Sequence, residues 1–377
     1  MGRAEQDHHF KMKYYRYIAL LCLMLSTALW GLDEDFHTAF DLFYNYRFDE
    51  AEAYCREKID QKENPFPYYA FLSYIKVRSG LANAEYDIMI GEADKSIRTY
   101  RTLYEDHLSQ HPEDVQVQFY YTVLLAGKMR VYLNKMEYLM IIREAPKILS
   151  NKIYIDYYSN NTFHEMDFGT GAFDYYLSVV GRNFGLGGLM ANSSSDGIRD
   201  LWSAYEHAVF TRWEAAIVLM YVYLYDKTDY DRCRTLCREF LDEYPDNFEV
   251  LAIAAECAYY QGKWAEGDAY VRRITKLLDG GLLRNDTGWR ARLYFLKGVR
   301  AMLKDEHIAA LDNFNRVYEM NCIEYSWYQS IVLKYTGDVY LKMGLVRTAK
   351  LYYEETVNSI EIIPHVREAK DILKTLK

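Results

Sequence analysis

Two stretches in the C-terminal half of the chain, "KTDYDRCRTLCREFLDEYPDN" and "QGKWAEGDAYVRRITKLLDGG", align on Tyr230 and Trp264, which stand 34 residues apart. A period of that length holds two antiparallel helices and cannot bury its apolar faces alone, so successive units must stack. Each stretch carries an aromatic and, three positions on, a small residue, which suits two helices packed closely together. Cys233 and Gly267 fill the small positions, and Pro245 ends a helix because the helical conformation before a proline is disfavoured. With six prolines in 377 residues and half of the residues hydrophobic, the chain has long uninterrupted helical stretches and ample material for a continuous core.

The pattern resembles the tetratricopeptide repeat. "LKGVRAMLKDEHIAALDNFNRV" continues it with Gly298 and Ala310 at the small positions. "YTGDVYLKMGLVRTAKLYYEETV" follows, with Gly337, Tyr340, Gly344 and Ala349. "AFDLFYNYRFDEAEAYCREKI" adds an N-terminal unit through Phe48 and Ala51. The resemblance implies an all-α, right-handed superhelical solenoid of antiparallel helix pairs. Four regions are expected: a hydrophobic N-terminal segment over 1–31, a divergent helical region over 32–165, a Gly/Ser-rich helix and connector over 166–200, and the repeat array over 201–377. The spacing expands at "GGLLRNDTG" and "NCIEYS", where longer connections are expected to protrude.

The stretch from Asp167 to Gly197 holds seven glycines and invites a phosphate-binding reading. A dinucleotide loop needs Gly-x-Gly-x-x-Gly between a strand and a helix. Here Asp174 stands where the third glycine belongs, "GLGGLM" fails at Met190, and no Gly-Lys-Ser or Gly-Lys-Thr follows. Gly169 and Ala172 instead suit a close helix crossing, with Ser195 or Asp196 capping the next helix. The order Gly169, Gly171, Phe173, Tyr175, Tyr176, then Gly197–Arg199 and Leu201, resembles a group of exported bacterial tetratricopeptide proteins over roughly 168–247.

"KMKYYRYIALLCLMLSTALWGLDEDF" reads as a secretory signal. Lys11, Lys13 and Arg16 precede an apolar run from Ile18 to Leu25, and Ser26 and Ala28 supply the small residues before a cleavage site. Cleavage is expected after Ala28 or Gly31, which places the mature chain in the periplasm or cell envelope. An uncleaved N-terminal anchor is the alternative, although the run is shorter than the roughly 20 residues of a comfortable span. Met12 stands where such a segment usually begins. Cys22 lacks the preceding small residue of a lipoprotein site. The remaining five cysteines, an odd number, do not form a disulfide framework, and Cys233 and Cys237 lack the second ligand pair of a zinc site.

No motif of catalysis stands out. "FHEMD" has His164 without the second histidine of a zincin, and no Gly-x-Ser-x-Gly elbow occurs. No enzymatic activity, cofactor or metal is therefore expected. The net charge of −9 without a basic run argues against nucleic acid. The sequons at Asn160, Asn192 and Asn285 read as polar loop residues.

The inner face of the stacked first helices remains as the functional surface, expected at Tyr225, Glu256, Tyr259, Tyr260, Arg292, Phe295, Lys334 and Asp338. Aromatic rings beside isolated charges suit a peptide or partner helix, with rings as anchors and charges setting register. The expected function is a protein-interaction scaffold of the envelope. The alternative is a small-ligand receptor for a glycan or lipid fragment, using some of the 38 tyrosines to line a cavity.

Overall fold

The computed structural model describes residues 34–61, 64–83, 85–134, 138–159, 162–183, 191–321, 327–359 and 363–376. The expected signal segment, Cys22, Asn160, Cys322 and the connector "FGLGGLM" lie outside them. Residues 1–40 and 41–377 form separate compact units. Of the first, the described part is the opening of helix α1 (Glu34–Tyr44).

The described residues form α-helices and one π-helical turn, with no strand among them. After α1 come α2 (Phe48–Gln61), α3 (Phe66–Ala82), α4 (Tyr86–Gln110), α5 (Val115–Asn134) and α6 (Tyr138–Ser159). Then follow α7 (Glu165–Asn183), α8 (Ala191–His207) and α9 (Arg212–Tyr221), which runs into the π-helical turn Val222–Asp226. The C-terminal part comprises α10 (Tyr230–Glu243), α11 (Phe248–Tyr260), α12 (Trp264–Asp279), α13 (Thr287–Leu303), α14 (His307–Met320), α15 (Trp327–Lys342), α16 (Val346–Asn358) and α17 (Pro364–Thr375).

Three pairs, α11–α12, α13–α14 and α15–α16, stack in the same way. The first helix of each pair packs on its own partner and on the first helix of the next pair. The small residues make this possible. Gly298 lies under the Phe314 ring and Gly337 under the Tyr353 ring, and a Cβ at Gly337 would stand 2.8 Å from a ring carbon. Side-chain caps start several of the helices: Asp114 accepts from the Val117 amide, Asp229 from the Arg232 amide and Asn247 from the Val250 amide.

α7 and α8 cross at glycines. A Cβ on Gly171 would meet the Gly197 carbonyl oxygen at 2.7 Å and the Leu201 amide nitrogen at 2.8 Å, so only hydrogen permits the contact. The N-cap expected at Ser195 or Asp196 is not one. α8 begins at Ala191, which puts both residues inside the helix, and Asp196 pairs with Arg199 at 2.7 Å.

Glu165, at the start of α7, caps α9 from a distance. Its carboxylate accepts from the amides of Val209, Phe210 and Thr211 at 2.7–2.9 Å, and from the Thr211 hydroxyl at 2.9 Å. The connection over 280–286 does not protrude as expected. Asn83, which caps the end of α3, accepts the Arg284 amide at 2.9 Å and the Asn285 amide at 3.3 Å, and Leu283 is buried.

Candidate functional site

α11 reads "FEVLAIAAECAYY", an apolar helix with two acids seven residues apart. Every residue but Tyr260 is buried, so neither Glu249 nor Glu256 can be satisfied by bulk water. Each has found a buried arginine. Arg78 of α3 places Nη2 2.6 Å from Glu249 Oε2, and Arg292 of α13 places Nη2 3.3 Å from Glu256 Oε2.

Tyrosines join the two pairs. Tyr221 donates to Glu249 at 2.9 Å, and Tyr225, on the π-helical turn, donates to Glu256 at 2.8 Å. Tyr328 of α15 donates to the Tyr221 hydroxyl at 3.4 Å, while the Arg292 guanidinium lies 3.5 Å from the Tyr328 ring centre and 4.8 Å from that of Phe295. Burial pushes the Glu256 carboxyl up to about 7, opposed by Arg292 and by the Tyr225 hydrogen bond.

The polar ribbon continues to the C-terminal helix. His365, on the first turn of α17, packs edge-on against Tyr225 at 5.0 Å and Tyr335 at 5.4 Å between ring centres, and its Nε2 is 3.1 Å from the Tyr335 hydroxyl. Burial pulls the imidazole down to about 4, so it is neutral, although Glu368 favours its cation. Tyr335 also bonds Tyr260, whose ring stacks on Tyr230 at 5.1 Å.

Lys334 sits 2.9 Å from Asp338 and 3.0 Å from Glu368 of α17. Burial lowers the affinity of its ammonium for the proton, but the two carboxylates outweigh burial and hold the pKa above its ordinary value. Asp338 also accepts from Tyr353 at 2.8 Å.

These positions correct the expectation of an open groove at five residues. Glu256, Tyr259, Arg292 and Phe295 are interior, between 0% and 1% exposed. Tyr225 of the π-helical turn covers Glu256, and Tyr328 of α15 covers Arg292 and Phe295. Tyr259 turns to Asp268 of α12, donating at 2.9 Å, rather than towards the other seven. Tyr225 is buried at 8% exposure, and Tyr260, Lys334 and Asp338 form the partly exposed edge. Sequence reading missed Arg78 and His365, which pair with this surface from far along the chain. The available signal was the two acids in a helix otherwise apolar all round, which demand buried cations elsewhere.

One constellation invites a catalytic reading. His164 Nδ1 is 3.0 Å from Asp167 Oδ2 and 3.1 Å from Ser203 Oγ, and Ser203 donates to Asp167 at 2.7 Å. A catalytic triad needs the acid on one ring nitrogen and the serine on the other. Here both share Nδ1 and the serine proton points to the acid, so the histidine cannot relay it.

Cys55, Cys233, Cys237 and Cys257 are buried free thiols, and burial raises Cys55 to about 12. Among the described residues no group of three or more His, Cys, Asp or Glu side chains could hold a metal ion. No described helix is long and apolar enough to cross a membrane. A cavity of about 120 Å³ opens between Tyr46, Ser79, Asn83 and Arg284. It falls well short of the roughly 300 Å³ at which small-molecule pockets begin.

Stacked antiparallel pairs with first helix on first helix decide the architecture. The chain is an all-α helical repeat. No family model matches its sequence, and no curated protein does. Among solved structures it is similar to a tetratricopeptide repeat protein from Parabacteroides merdae ATCC 43184. That likeness has 16% identity and a TM-score of 0.35, and covers 81% of this chain and 97% of the other.

Proposed function

We propose that this helical repeat is a non-enzymatic interaction scaffold of the bacterial cell envelope that binds a peptide or helix of another protein along its inner face. The observation that carries the reading is α17. A helix from the chain's own terminus already lies against that face, touching α15, the π-helical turn and α7. Its His365 is held between two tyrosines and its Glu368 by Lys334. An inner face that seats one helix through ring anchors and a charge in register has the chemistry to seat another. Tyr260, Lys334 and Asp338 are the residues a partner meets first, and Tyr225 lies behind them. The N-terminal signal pattern supports export.

The test compares the mature chain with Lys334→Glu, Tyr260→Ala and their double variant as baits in envelope extract, after matched helicity by circular dichroism. A protein retained by the native bait and lost from the double variant supports the reading. Identical sets on all baits overturn the inner-face assignment.

A further inference from the structure

α17 does two jobs with its two ends. Ala369 is buried against Ala349 and Tyr353, with Ile372 and Leu373 beside it, and this end shields the last repeat from water. The first turn does something a terminal cap does not require. Ile363 is extended, at φ −130° and ψ 156°, and Pro364 opens the helix, so that His365 reaches past Tyr335 of α15 to the π-helical turn. The ring comes to rest on Tyr225, a residue of the π-helical turn that precedes α10.

The groups that hold this turn all keep another partner if it leaves. Lys334 keeps Asp338 at 2.9 Å, Tyr335 keeps Tyr260, and Tyr225 keeps Glu256 at 2.8 Å. Withdrawal therefore orphans no charge or donor on the inner face, which is the usual reason a buried polar contact resists opening. The Glu256–Arg292 pair is different, because separating it strands a buried charge. The first turn of α17 can thus leave the inner face without stranding a charge there.

We propose that the turn from His365 to Glu368 is an intramolecular plug, and that the partner replacing it is an amphipathic helix of matching chemistry: an aromatic or imidazole ring followed three residues later by a carboxylate. The ring takes the space between Tyr225 and Tyr335, and the carboxylate takes Lys334. This rests on the helix-binding reading above and adds the identity of the competitor.

The test uses the full chain, native and with His365→Ala or His365→Phe, and a labelled peptide with the sequence of residues 359–377 read by fluorescence anisotropy. The alanine variant, with its seat vacated, should bind the peptide about 10-fold or more tightly than the native chain, since affinity scales with the fraction of open sites. The phenylalanine variant refills the seat and should bind as weakly as the native chain. A peptide carrying His365→Ala should bind none of them. Equal binding of the native peptide by all three chains overturns the plug.

Amide hydrogen exchange on the native chain gives a second measurement, independent of any variant. The amides of residues 368–371, which bond to the carbonyls of the first turn of α17, should exchange faster than those of α11 and α13, and equal protection also overturns the proposal. A set of unrelated helical peptides with the ring-x-x-carboxylate spacing separates the two ideas. Binding of the chain's own peptide without competition from any of these leaves the plug standing and removes the wider helix-binding reading. Equal binding of one of them to native and alanine chains does the reverse.

Discussion

The guanidinium of Arg292 lies 3.5 Å from the centre of the Tyr328 ring, and both residues are buried. Burial of a cation on an aromatic face removes water from between them, which raises the interaction to about 2 kcal/mol. A double-mutant cycle of Arg292→Met and Tyr328→Leu, read by urea unfolding, should give a coupling of about 1–2 kcal/mol. A coupling near zero would mean that the ring only fills space.

Proton binding at the two ends of the ribbon has opposite signs. Glu256 is raised to about 7, so between about 4.5 and 7 the native chain keeps a proton the unfolded chain has lost. Its contribution is full below 4.5 and disappears as pH rises through 7. His365 is lowered to about 4, so the unfolded chain gains a proton near 6.5 that the native chain refuses. That contribution is full above 6.5 and is lost as pH falls towards 4. The slopes oppose one another between about 4.5 and 6.5. Glu256→Gln should leave a chain that loses stability on acidification, and His365→Phe one that loses it as pH rises to 7. Each slope is at most about 1.4 kcal/mol per pH unit. Unfolding free energies measured from pH 4.5 to 7.5 check both signs, and parallel profiles for the two variants would contradict them.

Two glycines on one helix should respond in opposite directions to the same methyl group. At Gly171 the new Cβ meets backbone atoms of α8 that cannot turn aside, and alanine should cost about 1–3 kcal/mol or more. At Gly169 nothing lies within 4 Å, and alanine should stabilise by about 0.5–1 kcal/mol through its better helix propensity. Thermal unfolding of the two variants side by side checks the contrast.

Glu165 answers three amides and a hydroxyl at the start of α9. Glu165→Ala leaves these donors without an acceptor and should cost about 2 kcal/mol or more. Glu165→Gln retains one carbonyl oxygen and should cost less. Faster amide exchange confined to the start of α9 would localise the loss there, and equal stability of both variants would show that water replaces the carboxylate.

The stacking of the repeats was legible because it is local. The period from Tyr230 to Trp264, the stop at Pro245 and the small residues at Gly298 and Gly337 all act between neighbours a few turns apart. The closure of the inner face was not legible, because Arg78 meets Glu249 across 171 positions and no pattern in either helix names the other. Helical phase grouped Tyr225, Glu256, Arg292 and Lys334, but phase cannot say what lies opposite a face. The start of α8 was misplaced because Ser195 and Asp196 have the chemistry of caps, whereas the crossing at Gly171 and Gly197 requires the helix to be already formed there.

An open stack of repeats can lose its end units one at a time, since each touches only its neighbours. The ribbon that joins Arg78, Glu249, Glu256 and Arg292 limits that freedom, by tying an early segment to the middle of the array. The consequence is kinetic as well as structural. Contacts this distant in sequence must wait for large loops to close, so the molecule should assemble slowly and come apart as a single cooperative event rather than by peeling from its ends.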